Sequence, residues 1–401
     1  MKPKSHLCPS RVFGSWFLTA AVLVPLYMSF GSCTAGAYKY RPHQGMTSTR
    51  QQPEEFNLNG IDGPYLVGAT IYRVDASNNV QAIPYKVGDP ILVEVRNEDS
   101  DRFYVPKKDK ITLNPEIYPM PKRLIAISDI EGNFDAFAGF LMAHRVIDEK
   151  FDWIFGDGHL VLVGDFVDRG SNVVPVLWLI YKLEDEARKH GGHVHYILGN
   201  HELLNFQGKT KYNDERYIKI ATIITGKEDP KEAVRFMYSK ETELGRWLHS
   251  KNGIEKIGDY LFVHAGLSPK LPDLRLSIPQ INEISRQHWD KDLYNHPQSN
   301  KAANFLIGEE GIFWFRGLAK DHKGHKKISE DELEDILDYY RAETVIFGHT
   351  VVDQVTKDFD GKAINIDVKH GKSKHSEKTQ GLLIEDGIEY RLDGTGRRVR
   401  F

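Results

Sequence analysis

Five short stretches of this chain carry side chains that bind metal ions and anions, and each follows an apolar run. Asp129-Ile-Glu131-Gly-Asn133 follows Leu124–Ser128, and Gly164-Asp165-Phe-Val-Asp168-Arg169-Gly170 follows Leu160–Val163. Gly199-Asn200-His201-Glu202 follows His195–Leu198, His264-Ala-Gly266 follows Tyr260–Val263, and Gly348-His349-Thr350 follows Thr344–Phe347. Carboxylates and imidazoles are metal ligands. The planar guanidinium of an arginine matches the oxygens of a phosphoryl group. The apolar runs read as buried strands of an α/β sheet, and ligand sites in open α/β sheets form at the carboxyl ends of such strands. A polar strand-to-helix turn accounts for any single stretch; five in succession read as one assembled site.

These residues resemble the phosphoprotein phosphatase branch of the calcineurin-like metallophosphoesterases, whose pattern is GDxHG, GDxVDRG, GNHE, HGG or HAG, then GHT. The resemblance runs from about Arg123 to Asp367. The combination of HAG, Trp314-Phe-Arg316-Gly317 and GHT is similar to the bacterial-type, Shewanella-like phosphatases. It implies an α/β fold, a β-sandwich flanked by helices (αββα), and hydrolysis of phosphomonoesters by metal-activated water. It also implies two divalent ions bridged by Asp165, the first held with Asp129 and Glu131, the second with Asn200, His264 and His349. His201 would be the general acid, oriented by Asp168, with Arg169, Arg316 and Asn200 on the phosphoryl group.

One position departs from the pattern, because Glu131 stands where the family has histidine. An all-carboxylate first site leans toward Mn²⁺, with Fe, Zn or Mg as the other candidates; the alternative is a lost first ion and a weak enzyme. Substrates of this class are phosphorylated proteins or small phosphoesters. A nucleotide or dinucleotide-polyphosphate hydrolase is the alternative enzyme, and a surface binding protein on a degraded phosphatase scaffold the alternative outside catalysis. Asp367, after Ile364-Asn-Ile, is a further strand-end carboxylate with a weak case for support of the site. His190, His193 and His195 lie outside the motifs, and His370 and His375 fall in a Lys-rich stretch, Lys369 to Lys378, that reads as a solvated loop.

The elements that must position these residues alternate. From 121 to 401 strand and helix patterns succeed one another, with helices expected over Phe134–Ile147 and Val173–Lys189 and a βαβαβ arrangement between them. Residues 203–258 read as a mostly helical insertion and 268–328 as a mixed one. Ser329-Glu-Asp-Glu332 is a capping box opening a helix to about Arg341, and Leu382–Ile384 with Ile388–Arg391 read as a closing hairpin. Upstream, residues 60–115 hold strand-like runs punctuated by Asn78-Asn79 and Gly88-Asp89-Pro90, a small β module.

The 401 residues carry a net charge of −3, which gives no basic surface for nucleic acid. Two cysteines, Cys8 and Cys33, exclude a disulfide framework. Residues 1–33 read as a signal peptide or lipoprotein signal: Lys2, Lys4 and Arg11 precede the mostly apolar Phe13–Phe30, ending in Gly31-Ser32-Cys33. That places the enzyme in the cell envelope, periplasmic or lipid-anchored at Cys33, with an uncleaved membrane anchor as the alternative. Residues 34–58 read as a flexible tether.

Overall fold

The computed structural model describes residues 57–323 and 326–401. The export segment and nearly all of the tether expected over 1–58 therefore lie outside the described residues. Among the described residues no helix is long and apolar enough to cross a membrane.

Two six-stranded sheets pack face to face. In the first, Arg123–Ile127, His159–Val163 and His193–Ile197 run parallel in neighbouring positions. Gln380–Glu385 pairs antiparallel on the other side of Arg123–Ile127 and continues into the hairpin strand Ile388–Asp393. The second sheet is built around Ile254–Ile257, Tyr260–Val263, Thr344–Phe347 and Ala363–Asn365. Strand alternation divides the apolar residues between two cores. Leu124, Ala126, Val161 and Val163 meet Phe262, Ile346 and Ile364 between the sheets, whereas Ile125, Ile127, Leu160 and Leu162 face the helices. This is the expected α/β sandwich with helices outside.

The helix Val173–Lys189 has the expected bounds. The one expected to reach Ile147 ends at Ala143, because Arg145 adopts a left-handed φ of 56° and Ile147 bridges to Trp153 instead. Residues 203–258 hold the end of the helix Asn200–Phe206 and three further helices, the last Glu243–Leu248, before Ile254–Ile257 returns to the sheet. Ser329 caps the helix Glu330–Tyr340 with the reciprocal bonds of a capping box.

The N-terminal strands Asp62–Val67, Thr70–Val74 and Val80–Pro84 form a small antiparallel sheet, and Ile91–Glu94 pairs with Arg102–Val105. This module is seated on the helix Val173–Lys189: Trp178 Nε1 donates to the Pro64 carbonyl at 2.8 Å, and the Tyr181 hydroxyl accepts from Lys108 N–H at 2.8 Å. Its second turn, residues 96–101, extends to the edge of the site. Asn97 donates to Asp135 at 2.5 Å, and Lys374 ties Asp99 and Asp101 at 2.7 and 2.6 Å.

Candidate active site

Each motif leaves its strand at the carboxyl edge, and the residue with chemistry follows within three positions of the strand's end. The first two loops are zipped together by backbone: Asp129, Glu131 and Gly132 N–H groups donate to the carbonyls of Gly164, Asp165 and Phe166 at 2.9–3.0 Å. Asp129, Glu131, Asp165, Asp168, Arg169 and His349 all have φ between 49° and 71°. Non-glycine residues rarely adopt that left-handed conformation, and such outliers concentrate where function holds the backbone.

Glu202 staples the loops. Its buried carboxylate accepts from Gly199 N–H at 2.7 Å, Phe166 N–H at 2.9 Å, Asp165 N–H at 3.0 Å and the Tyr196 hydroxyl at 3.0 Å. The last residue of Gly-Asn-His-Glu is therefore structural, fixing Asp165 relative to Asn200.

Asp165 is the centre. Its Oδ1 accepts from His201 N–H at 2.9 Å, and its Oδ2 lies 3.2 Å from His264 Nε2. His264 Nδ1 donates to the Val163 carbonyl at 2.8 Å, which turns Nε2 toward Asp165 and Asn200. His264 Nε2 also lies 3.0 Å from Asn200 Oδ1. Asp165 Oδ2, Asn200 Oδ1 and His264 Nε2, three atoms of metal-ligand type, thus converge. His349 completes the set. Ligand atoms of Asp165, His264 and His349 all lie within 4.8 Å of one another, and the buried His349 Nε2 has no hydrogen-bond partner. Burial, with His264 and Arg316 nearby, holds the His349 imidazole well below its usual range and so neutral. Burial opposes charge on His264 too, but Asp165 beside it raises that group. Burial likewise opposes ionisation of Asp165, and His264 and His201 outweigh it, keeping the carboxylate charged. This donor set fits a divalent ion.

Asp129 joins the centre through the backbone, its Oδ2 accepting from His349 N–H at 3.2 Å. Glu131 lies on the same cleft, its carboxylate paired with the guanidinium of Arg169. A flexible carboxylate beside an unpaired arginine takes the closer opposite charge. Arg169 is half-exposed, lies over the Tyr212 ring, and reaches within 3.5 Å of His201 Nε2.

His201 is buried with Nδ1 donating to Asp168 Oδ2 at 2.7 Å. Burial disfavours its charge, but Asp165 and the Asp168 hydrogen bond together raise the imidazole to about 9. Asp168 is itself fixed by two amides that lie in none of the motifs: Asn205 Nδ2 at 2.8 Å and Asn213 Nδ2 at 2.5 Å reach its Oδ1. Arg316 donates to the His349 carbonyl at 2.6 Å and to Thr350 Oγ1 at 3.0 Å, with the guanidinium on the cleft wall.

Asp129, Glu131, Asp165, Arg169, Asn200, His201, Arg316 and His349 line a cleft of about 1160 Å³, together with Tyr212, Trp314 and Asp367. The 369–378 stretch is the largely exposed loop expected from its lysines, but it is anchored at His370. His370 Nε2 donates to the Ser128 carbonyl at 2.8 Å, and Asn133 reaches the Gly371 carbonyl, so this loop closes one side of the cleft. His193 and His195 pack with His159 and Tyr118 at the opposite strand ends, where His195 Nδ1 meets Glu255 at 2.6 Å.

The comparisons with known proteins agree with this geometry. Residues 122–353 match the model of the calcineurin-like phosphoesterase family. Shewanella-like protein phosphatase 2 of Arabidopsis thaliana is 26% identical over 296 residues, covering 64% of this chain and 73% of that protein. Shewanella-like protein phosphatase 1 of Plasmodium berghei is 28% identical over 250 residues, covering 62% and 65%. The crystal structure of a cold-active protein-tyrosine phosphatase of a psychrophilic Shewanella species superposes with a TM-score of 0.73 at 29% identity, over 85% of this chain and 99% of that one. The chain belongs to the calcineurin-like phosphoesterases and is a metal-dependent phosphatase.

Proposed function

We propose that this chain hydrolyses phosphomonoesters of phosphorylated protein side chains, using two divalent ions, with manganese as the resident metal. The single observation that carries the reading is the buried convergence of Asp165, His264 and His349 beside a charged His201. The names of the Shewanella-like relatives, among them a protein-tyrosine phosphatase, support protein substrates.

Asp165, Asn200, His264 and His349 would hold one ion, and Asp129 and Glu131 with Asp165 the other. When bound, the ions supply an acidified water and neutralise charge on the phosphoryl oxygens. The remaining work belongs to the chain's own side chains. Arg316, anchored on the His349 carbonyl and Thr350, presents its remaining N–H groups to the phosphoryl oxygens. Arg169 approaches the same group from the His201 side. His201 gives its Nε2 proton to the leaving oxygen, and Asp168 on Nδ1 supports the charged form before transfer and orients the ring.

Export of the enzyme into the cell envelope through residues 1–33, with a lipid on Cys33, remains part of this proposal. Its support is the basic, apolar and small-residue order of that segment.

The test is a substrate panel on the manganese-loaded protein lacking residues 1–33. Phosphotyrosine and phosphoserine peptides, small aryl phosphates and a dinucleotide polyphosphate are compared by kcat/KM. The proposal requires the phosphopeptides to lead; a preference for the dinucleotide polyphosphate would replace it with the hydrolase alternative.

A further inference from the structure

Arg169 is half-exposed and its backbone holds a left-handed φ of 53°, so the loop that carries it must be fixed from behind. Two bonds come from neighbouring loops: Arg169 N–H donates to the Tyr212 carbonyl at 2.9 Å, and Gly170 N–H to the Glu131 carbonyl at 2.8 Å. The next residue, Ser171, is held from further away. Its carbonyl accepts from the Tyr217 hydroxyl at 2.8 Å and from the Arg216 guanidinium. The same hydroxyl accepts from Val173 N–H at 3.0 Å, and Asn172 Nδ2 donates to the Arg96 carbonyl of the N-terminal module at 3.2 Å.

Arg216 and Tyr217 sit in the first turn of the helix Glu215–Thr225, within the helical insertion. Arg216 is 1% exposed. Its charge is answered by Asp62, the buried first residue of the module strand Asp62–Val67, whose Oδ2 lies 3.5 Å from Arg216 Nε. Asp62 is in turn held by Gly63 N–H at 2.7 Å and the Tyr65 hydroxyl at 2.9 Å. Burial opposes the arginine's charge, and Asp62 with Tyr217 and Tyr65 outweighs it. The pair is poorly suited to a purely structural task. Arg216 Nε and Nη1 are buried without a hydrogen bond, and a buried ion pair often stabilises a fold no better than apolar side chains of similar volume. What apolar side chains would not supply is a donor onto Ser171.

We propose that Asp62, Arg216 and Tyr217 are positioning residues for Arg169, which makes the N-terminal β module part of the catalytic unit. Asp62 fixes the guanidinium of Arg216, and Arg216 with Tyr217 fixes the Ser171 carbonyl. That carbonyl sets the path of the loop two residues after Arg169, and so where Arg169 meets the phosphoryl group. The proposal rests on the reading of Arg169 as a phosphoryl-gripping side chain given above.

The test compares Tyr217→Phe, Asp62→Asn, Arg169→Ala and the double variant Arg169→Ala/Tyr217→Phe in the manganese-loaded full chain. The readouts are kcat and KM for an aryl phosphate, the inhibition constant of inorganic phosphate, and manganese content. Tyr217→Phe and Asp62→Asn should raise KM and the phosphate inhibition constant together, lowering kcat/KM by up to about 10²-fold, the scale of a 1 Å misplacement. Manganese content should stay at the wild-type level. A merely structural defect would lower the active fraction, and hence kcat, with KM unchanged. In the Arg169→Ala background Tyr217→Phe should cost nothing further, because its effect passes through Arg169. Tyr217→Phe removes one oxygen and keeps the ring, so it carries the test where Asp62→Asn does not fold. Wild-type KM and phosphate inhibition in Tyr217→Phe, or a loss that multiplies with that of Arg169→Ala, would overturn the proposal. Wild-type KM and phosphate inhibition in Arg169→Ala would instead overturn the phosphoryl-gripping reading of Arg169 itself.

Discussion

His201 Nδ1 lies 2.7 Å from Asp168 Oδ2, with both groups buried and the other imidazole nitrogen 3.8 Å from Asp165 Oδ2. The imidazole is therefore held between two carboxylates, which is how a histidine stays charged at neutral pH despite its burial. A folded-state value of about 9 lies above the ordinary 6.5. The stability that the charged form contributes is thus fully present below about 6.5, where the unfolded histidine is protonated as well. It is lost as pH rises through about 9. The metal-free protein should lose stability over that window, and Asp168→Asn should shift the loss to lower pH. Unfolding free energies measured from pH 6 to 10 check this; identical curves for the two proteins would count against the pairing.

As the proton donor, His201 can be separated from the metal ligands. His201→Ala should keep its metal content and lose roughly 10²–10⁴-fold in kcat. The loss should be smaller for aryl phosphates, whose leaving groups need a proton less. Equal losses across leaving groups would remove His201 from the acid role.

Glu202 predicts a stability effect rather than a catalytic one. Glu202→Gln replaces one acceptor oxygen by an amino group facing backbone N–H donors of Gly199, Asp165 or Phe166. Leaving buried donors without acceptors should cost about 1–3 kcal/mol for each group affected. Urea unfolding reads the shift in midpoint, and an unchanged midpoint would mean that the loops do not depend on this staple.

Gly199 tests how closely the centre is packed. A Cβ there would lie 2.7 Å from Asp165 N and 2.9 Å from His264 Nδ1, and closer still to Asp165 Oδ1. Gly199→Ala should therefore displace ligands of the second ion, seen as lost metal affinity in a protein that remains folded by circular dichroism. Wild-type affinity in that variant would show that the loop has room to relax.

The sandwich and the five motifs were legible because each motif follows an apolar strand and sits where such strands deliver side chains. The residues that hold the motifs in place were not. Asn205 and Asn213 reach Asp168 from a helix and a loop whose positions depend on the insertion's packing, and no spacing in the sequence announces them. The pairing of Glu131 with Arg169, 38 positions away in sequence, is likewise decided by side-chain torsions that no motif shows. The lysine-rich 369–378 stretch has the composition of a solvated loop. Its fold is fixed by His370 on Ser128 and Lys374 on Asp99 and Asp101, contacts more than two hundred residues apart in sequence.

The most direct measurement of the central claim is the metal content and turnover of Asp165→Asn. Asp165 contacts His201 N–H through one oxygen and His264 through the other, and it is the carboxylate that both ions would share. The account predicts that this variant folds, binds neither manganese ion tightly, and loses nearly all hydrolysis of a phosphotyrosine peptide. Full metal content with substantial turnover in Asp165→Asn would contradict it.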